Sequence, residues 1–248
     1  MSKDNDFKTE PHFIAYLDIL GYKDKIKNGE FKFVKVISEA IQKAEYLSSL
    51  LGEFTNSEIK IKAFTDNILI CSKTNWLSLM KIVGYIQSYL VERNCFIRGA
   101  LCYSNLYFDD KFLFGKGIVM AHEIESTIAI SPRVLVHSTY ISNARKSDEN
   151  NYFKNFILVD SDGYKYLDYL FASNALVEAD DAWSSTCYLG SNGICEEMLK
   201  KHKSSITKQI KNCEERYLPK NIMSKFLWSK GYHNYFCDNH GLLDYKIN

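Results

Sequence analysis

Residues 12–19, His-Phe-Ile-Ala-Tyr-Leu-Asp-Ile, form a run that is almost wholly apolar or aromatic, yet it carries an acidic side chain at Asp18. Pro11 precedes the run and Gly21 closes it, so it reads as a buried strand whose C-terminal end presents the Asp18 carboxylate. From Phe33 onward, Val36, Ile37, Ala40, Ile41, Ala44, Leu47 and Leu51 recur at three- and four-residue spacing, the signature of an amphipathic helix covering one face of a sheet. Ile59 to Phe64 alternates, Thr65-Asp66-Asn67 interrupts, and Ile68 to Cys71 resumes an apolar strand. That pattern predicts a hairpin with Asp66 at its tip.

Helical periodicity returns from Trp76 to Asn94, and Cys95 to Tyr103 is again strand-like, with Arg98-Gly99-Ala100 inside it. Leu106 to Phe114 forms a second hairpin around Asp109-Asp110, Gly115 to Ser126 a helix, and Arg133 to His137 a strand. The predicted order is β-α-β-β-α-β-β-α-β. Beyond about residue 140 the patterning weakens, with short strands expected at 156–159 and 164–167 around Asp162-Gly163, and helices at 193–212 and 219–232. With three prolines in 248 residues and no Gly/Ser-rich linker or repeat, the chain reads as one main domain. Residues 1–140 are expected to form the core α/β unit, and 141–248 extra strands and helices packed on it.

Charge restricts the partners. The formal net charge is +1, so no overall field draws the chain to nucleic acid or an anionic membrane, and any polyanion is bound locally. Seven cysteines with no C-x-x-C pair suit a reducing compartment better than a disulfide framework and do not suggest zinc. No stretch approaches the ~20 apolar residues of a membrane span, and the N-terminus has no apolar leader core. A cytoplasmic protein is the expectation.

Two carboxylates, one at the end of the first strand and one at the tip of the adjoining hairpin, converge only if those strands are neighbours, as a β-α-β-β arrangement makes them. Such a pair suits Mg²⁺ or Mn²⁺, which take hard oxygen ligands and keep open positions for substrate phosphates. The carbonyl of Ile19 could add a ligand, and a second ion would complete a two-metal site. Taken singly, each aspartate could equally be a turn former or a solvated strand end.

On these residues the chain resembles a family. Tyr16-Leu17-Asp18-Ile19-Leu20-Gly21-Tyr22 looks like the first metal motif of class III nucleotidyl cyclases, and Lys62-Ala63-Phe64-Thr65-Asp66 like the second; Arg98-Gly99 and Gly115 to Ala121 follow in the family's order. The resemblance spans residues 12–137. Within the superfamily, the Leu-Asp-Ile-Leu-Gly-Tyr run and the Glu125 to Arg133 segment look closest to the pyrimidine cyclases of bacterial Pycsar antiphage defence, which make cyclic UMP or cyclic CMP. The resemblance implies a ferredoxin-like α/β (α+β) palm, with a mostly antiparallel sheet flanked by helices and a helical C-terminal extension. It also implies two Mn²⁺ or Mg²⁺ ions on Asp18, Asp66 and Ile19, a nucleoside triphosphate substrate (UTP or CTP), a homodimer with shared sites, and a cyclic-nucleotide-binding effector acting downstream.

The departures concern the transition state. Where purine cyclases place an asparagine and an arginine, this chain has Val119 and Glu123, neither of which donates to phosphate in ionised form. That gap fits either the pyrimidine subgroup or a nucleotide-binding sensor without turnover. Arg98 is the substitute donor the sequence offers, with a structural ion pair as its alternative reading. Lys62 occupies the place of a base-reading lysine but also fits a solvated strand face. Phe64 is a candidate substrate contact beside it, and Lys116, opening a helix after Gly115, could meet phosphate oxygens or simply be solvated. His122 and Glu123 do not make H-E-x-x-H, because position 126 is Ser. Leu20 stands where a D-x-D phosphatase needs its second acid, the diguanylate cyclase Gly-Gly-Asp-Glu-Phe hairpin is absent, and Walker and dinucleotide glycine motifs are missing.

Overall fold

A computed structural model describes residues 7–55, 58–177 and 193–248. β1 (Glu10–Ile19) is followed by α1 (Tyr22–Lys27) and α2 (Lys32–Thr55), the hairpin β2 (Ile59–Phe64) and β3 (Asn67–Ser72), then α3 (Trp76–Val91). Next come β4 (Ile97–Phe108), β5 (Leu113–Phe114), α4 (Lys116–Thr127), β6 (Val134–Val136), α5 (Ser138–Ala144), β7 (Ile157–Val159), β8 (Lys165–Leu167) and α6 (Tyr169–Val177). Two long helices, α7 (Glu196–Glu215) and α8 (Lys220–Asn239), complete the described chain. The sheet order is β2-β3-β1-β4-β6-β8-β7, with β5 pairing off β4. Its pairings are antiparallel except β4 with β6, so the mixed, mostly antiparallel sheet flanked by helices is the fold class expected.

The alternation along β1 sorts its side chains onto two unequal cores. Phe13, Ala15, Leu17 and Ile19 point to the larger one, closed by α2 and α3, whereas Ile14 and Tyr16 join Leu69, Cys71, Ala100 and Cys102 in a small cluster roofed by α4. α3 is buried almost all round, and Asn75 caps it by accepting from the Ser78 N–H at 2.9 Å. Among the described residues the second face is covered along the length of α4. α4 lies close because Gly117 has no Cβ; one there would stand 2.2 Å from Ile14 Cδ1.

Three helices escape the sequence pattern for physical reasons. α1 buries no residue and so has no apolar stripe, while in α6 nearly every described side chain is inside, which erases periodicity. α5 is a short segment capped by the His137 ring, which accepts from the Thr139 N–H. Cys71, Cys95, Cys102, Cys213 and Cys237 are free and buried, but Cys195 is disulfide-bonded, a departure from the expectation that the thiols stay reduced. Among the described residues no helix is long and apolar enough to cross a membrane.

Candidate active site

β1 runs between β3 and β4, and the register sets Asp18 opposite Asn67 on one side and Arg98 on the other. One residue on, the Ile19 N–H donates to the Asp66 carbonyl at 2.8 Å, which ties the hairpin tip to the end of β1. The tip is tight: Thr65 adopts φ 53, and its hydroxyl and the Asn67 amide both donate to Asp66 Oδ1, at 2.9 and 3.0 Å. Asp18 and Asp66 therefore emerge side by side at one end of the sheet, with Ile19 between them in the chain path. Because Asp18 lies two residues after Tyr16, its side chain projects on the face roofed by α4, and it retains partial exposure.

Arg98 is engaged on all three of its nitrogens. Nε donates to Asp18 Oδ2 at 3.0 Å, Nη1 to the Ala129 carbonyl at 3.3 Å, and Nη2 lies 2.7 Å from Glu125 Oε1. That last contact is close enough for charge pairing but is not aligned as a hydrogen bond, which leaves the buried Glu125 oxygen without a formed one. The Arg98 guanidinium thus bridges the Asp18 and Glu125 carboxylates. Gly99 follows because a Cβ there would sit 2.3 Å from the Tyr16 carbonyl oxygen.

Glu125 is the third carboxylate of the site, and the sequence reading did not single it out. Gly117, Ala121 and Glu125 are the buried residues of α4, spaced by four, so the signal was an acid on the apolar stripe. Burial raises its pKa, Arg98 opposes that rise, and the nearby Asp18 and Asp66 charges reinforce it. The Tyr16 hydroxyl is pushed up to about 12 by burial and by the same three carboxylates. The His122 ring stands edge-on to Tyr16 at 5.6 Å, closing that side of the site.

The remaining candidates are placed as follows. Phe64 ends β2 with its ring 6.4 Å from Tyr16, partly buried against α4, and so flanks the aspartates. Lys62, two residues back, donates to the carbonyls of Asp109 and Asp110 at 3.4 and 3.1 Å, anchored on the β4–β5 hairpin. Lys116 is exposed at the opposite end of α4 from Glu125, about 13 Å away along the helix axis. The fold thus brings Asp18, Ile19, Asp66, Arg98 and Phe64 together, keeps Lys62 nearby but occupied, and leaves Lys116 apart. Val119 and Glu123 lie on the exposed face of α4, away from the carboxylates.

Among solved structures the chain is similar to the adenylyl cyclase CyaB from P. aeruginosa, with 12% identity and a TM-score of 0.42 over 65% of this chain and 95% of that one. It is also similar to a bacterial light-regulated adenylyl cyclase, at 11% identity and a TM-score of 0.41 over 70% of this chain and 100% of the other. No protein-family model matches the chain, and no curated protein matches it significantly.

The donor set suits a hard divalent cation. Among the described residues no group of three or more His, Cys, Asp or Glu is placed to hold a metal. Asp18 and Asp66 with the Ile19 carbonyl offer oxygen alone and few protein ligands. Donors of that kind are ones that hard divalent cations such as Mg²⁺ or Mn²⁺ take.

Proposed function

We propose that this chain is a divalent-metal-dependent nucleotide cyclase that converts UTP or CTP to the 3′,5′-cyclic nucleotide and pyrophosphate. The observation that carries the reading is the Ile19-to-Asp66 backbone bond, which sets two partly solvated aspartates next to each other at the open end of a sheet. Asp18, Asp66 and the Ile19 carbonyl would hold two Mn²⁺ or Mg²⁺ ions; such ions activate a hydroxyl and neutralise a leaving polyphosphate when bound. In the reaction the ribose 3′-oxygen bonds to the α-phosphorus, the bond to the β-phosphate bridging oxygen breaks, and the hydroxyl proton leaves to water. The chain's own groups position and desolvate. Arg98 and Glu125 fix the Asp18 carboxylate, Tyr16 and Phe64 wall the apolar side, and no protein nucleophile is needed.

The pyrimidine preference, a homodimer with shared sites, a cytoplasmic location and a role in antiphage defence rest on the motif resemblance in residues 12–137. Fold alone fixes none of them. A second reading, a nucleotide-binding sensor without turnover, is favoured by one specific feature: Val119 and Glu123 replace the usual donors and Arg98 is already engaged. Incubating the purified chain with Mn²⁺ and each of ATP, GTP, CTP and UTP, with mass-spectrometric analysis of products, decides between them. Cyclic UMP or cyclic CMP is the expected product. A cyclic purine product would move the substrate class, and tight nucleotide binding with no product would establish the sensor.

A further inference from the structure

α7 divides its charge unevenly. Glu196 and Glu197 stand in its first turn and Glu214 and Glu215 in its last, while the charged side chains between them are all lysines. Leu199, His202 and Ile206 are buried, which leaves Lys200, Lys203, Ser204, Thr207, Lys208 and Lys211, at three- and four-residue spacing, along the opposite side of the helix. With Asp244 and Tyr245 of the C-terminal turn Leu243–Tyr245 they line an open groove of about 800 Å³. Helix stability does not account for this row. Lys200 with Lys203, and Lys208 with Lys211, are like charges one turn apart, an arrangement that destabilises a helix. Lys203 has Leu199, Lys200, Ile206 and Thr207 three and four residues away, and Lys208 has Ser204, Ser205, Lys211 and Asn212, so neither meets an acid on α7. Neither forms an ion pair among the described residues. Lys200 reaches Glu196 at 4.0 Å and Lys211 reaches Glu215 at 3.6 Å, pairs open to water that hold little.

Four lysines against one aspartate make the groove cationic on a chain whose net charge is only +1. From Lys200 to Lys211 the row runs about 16 Å, with a lysine or hydroxyl at each turn, a step that an extended phosphodiester backbone can follow. Ammonium groups interleaved with the Ser204 and Thr207 hydroxyls are donors of the kind that phosphate oxygens take. Tyr245 forms the aromatic wall: its hydroxyl donates to Glu196, and its ring centroid lies 5.9 Å from Lys200 Nζ, so a base stacked there has the phosphate row beside it. Asp244 repels a phosphate but accepts from a hydroxyl, and the 2′-hydroxyl is what separates ribose from deoxyribose. An acidic peptide would use the lysines and leave Tyr245 and Asp244 without a role. We infer that this groove binds single-stranded RNA: the lysines and hydroxyls follow its phosphates, Tyr245 stacks a base, and Asp244 accepts from a ribose hydroxyl.

The test is fluorescence anisotropy of a labelled oligouridine RNA of about 12 nucleotides, titrated with the full chain at several salt concentrations beside the matching DNA and polyglutamate. The variants are Lys203→Gln/Lys208→Gln, Lys203→Arg/Lys208→Arg, Asp244→Asn, and a control, Lys32→Gln/Lys154→Gln, that removes two exposed lysines elsewhere. Wild type is expected to favour RNA over DNA by about threefold or more, and Asp244→Asn to lose that preference. The Gln pair is expected to weaken RNA binding about tenfold or more and to flatten the slope of log affinity against log salt by about 1.4, two contacts at ~0.7 each. The Arg pair is expected to bind as wild type does, and the control to stay within about twofold. Wild-type affinity in the Gln pair, an equal loss in the control, or no binding to wild type overturns the inference. Loss in the Arg pair as well marks the lysines as structural and overturns it too. Equal affinity for RNA and DNA overturns the ribose assignment, and polyglutamate bound as tightly as RNA overturns nucleic acid in favour of an acidic protein partner.

Discussion

Replacing Arg98 with Met removes a cation whose partners are unequal. Asp18 can turn toward water, since its side chain is 17% exposed, but Glu125 at 4% cannot. Breaking a buried pair from one side costs about 3–5 kcal/mol when the survivor stays charged. Arg98 is itself about a quarter exposed, so the lower end applies and about 3 kcal/mol is expected near pH 8. The loss is pH-dependent. Burial already holds the Glu125 pKa above its ordinary value, and losing Arg98, which opposes that shift, raises it further. A carboxyl with a raised folded pKa penalises the native state as pH climbs from its unfolded pKa to its folded one, at up to ~1.4 kcal/mol per unit. Lowering the pH toward about 5 therefore returns much of the lost stability, and adding Glu125→Gln to Arg98→Met removes the pH dependence. Urea unfolding at a series of pH values reads both effects. A loss below about 1 kcal/mol that is the same at every pH would refute the reasoning.

Gly99→Ala places a methyl group 2.3 Å from the Tyr16 carbonyl oxygen and against Leu17, both fixed within the sheet. Thermal unfolding is expected to show a loss of about 2–3 kcal/mol, with Asp18 and Arg98 displaced enough to weaken Mn²⁺ binding. His202 and His233 are buried and neutral, linked through Nδ1 atoms 2.9 Å apart, with Tyr169 bonded to His202 and the Tyr245 carbonyl to His233. Burial lowers both pKa values, so the unfolded chain binds protons first. Stability therefore declines as pH falls below about 6.5, by up to ~1.4 kcal/mol per unit per ring, and urea midpoints for His202→Gln should show a shallower slope. Asp160→Asn removes a charge shared by the buried Arg133 and the Trp228 indole, which donates to it at 2.6 Å. A stability loss of about 2–3 kcal/mol is expected in chemical denaturation.

The sequence carried the β1, β2 and β3 boundaries because strand alternation and the Thr65-Asp66 interruption are local signals, and with them the adjacency of Asp18 and Asp66. Elements without a stripe, α1 and α6, were not legible, since one is solvated all round and the other buried all round. Arg98 was legible as a residue, with an ion pair as one of its two readings, but its partners were not. Its binding to Asp18, Glu125 and the Ala129 carbonyl joins positions on β1, α4 and the loop after α4 that no spacing rule relates. Lys62 likewise reads as a free strand lysine until the β4–β5 hairpin folds back and offers it two carbonyls.

The central claim is that Asp18 and Asp66 jointly hold divalent ions for a bound triphosphate. Electron paramagnetic resonance titration of Mn²⁺ in the presence of a non-hydrolysable UTP analogue measures it without requiring turnover. Wild type is expected to immobilise Mn²⁺, and Asp18→Ala and Asp66→Ala each to weaken that binding by at least about 100-fold, as loss of a carboxylate ligand implies. Mn²⁺ retained with wild-type affinity by both variants would contradict the account.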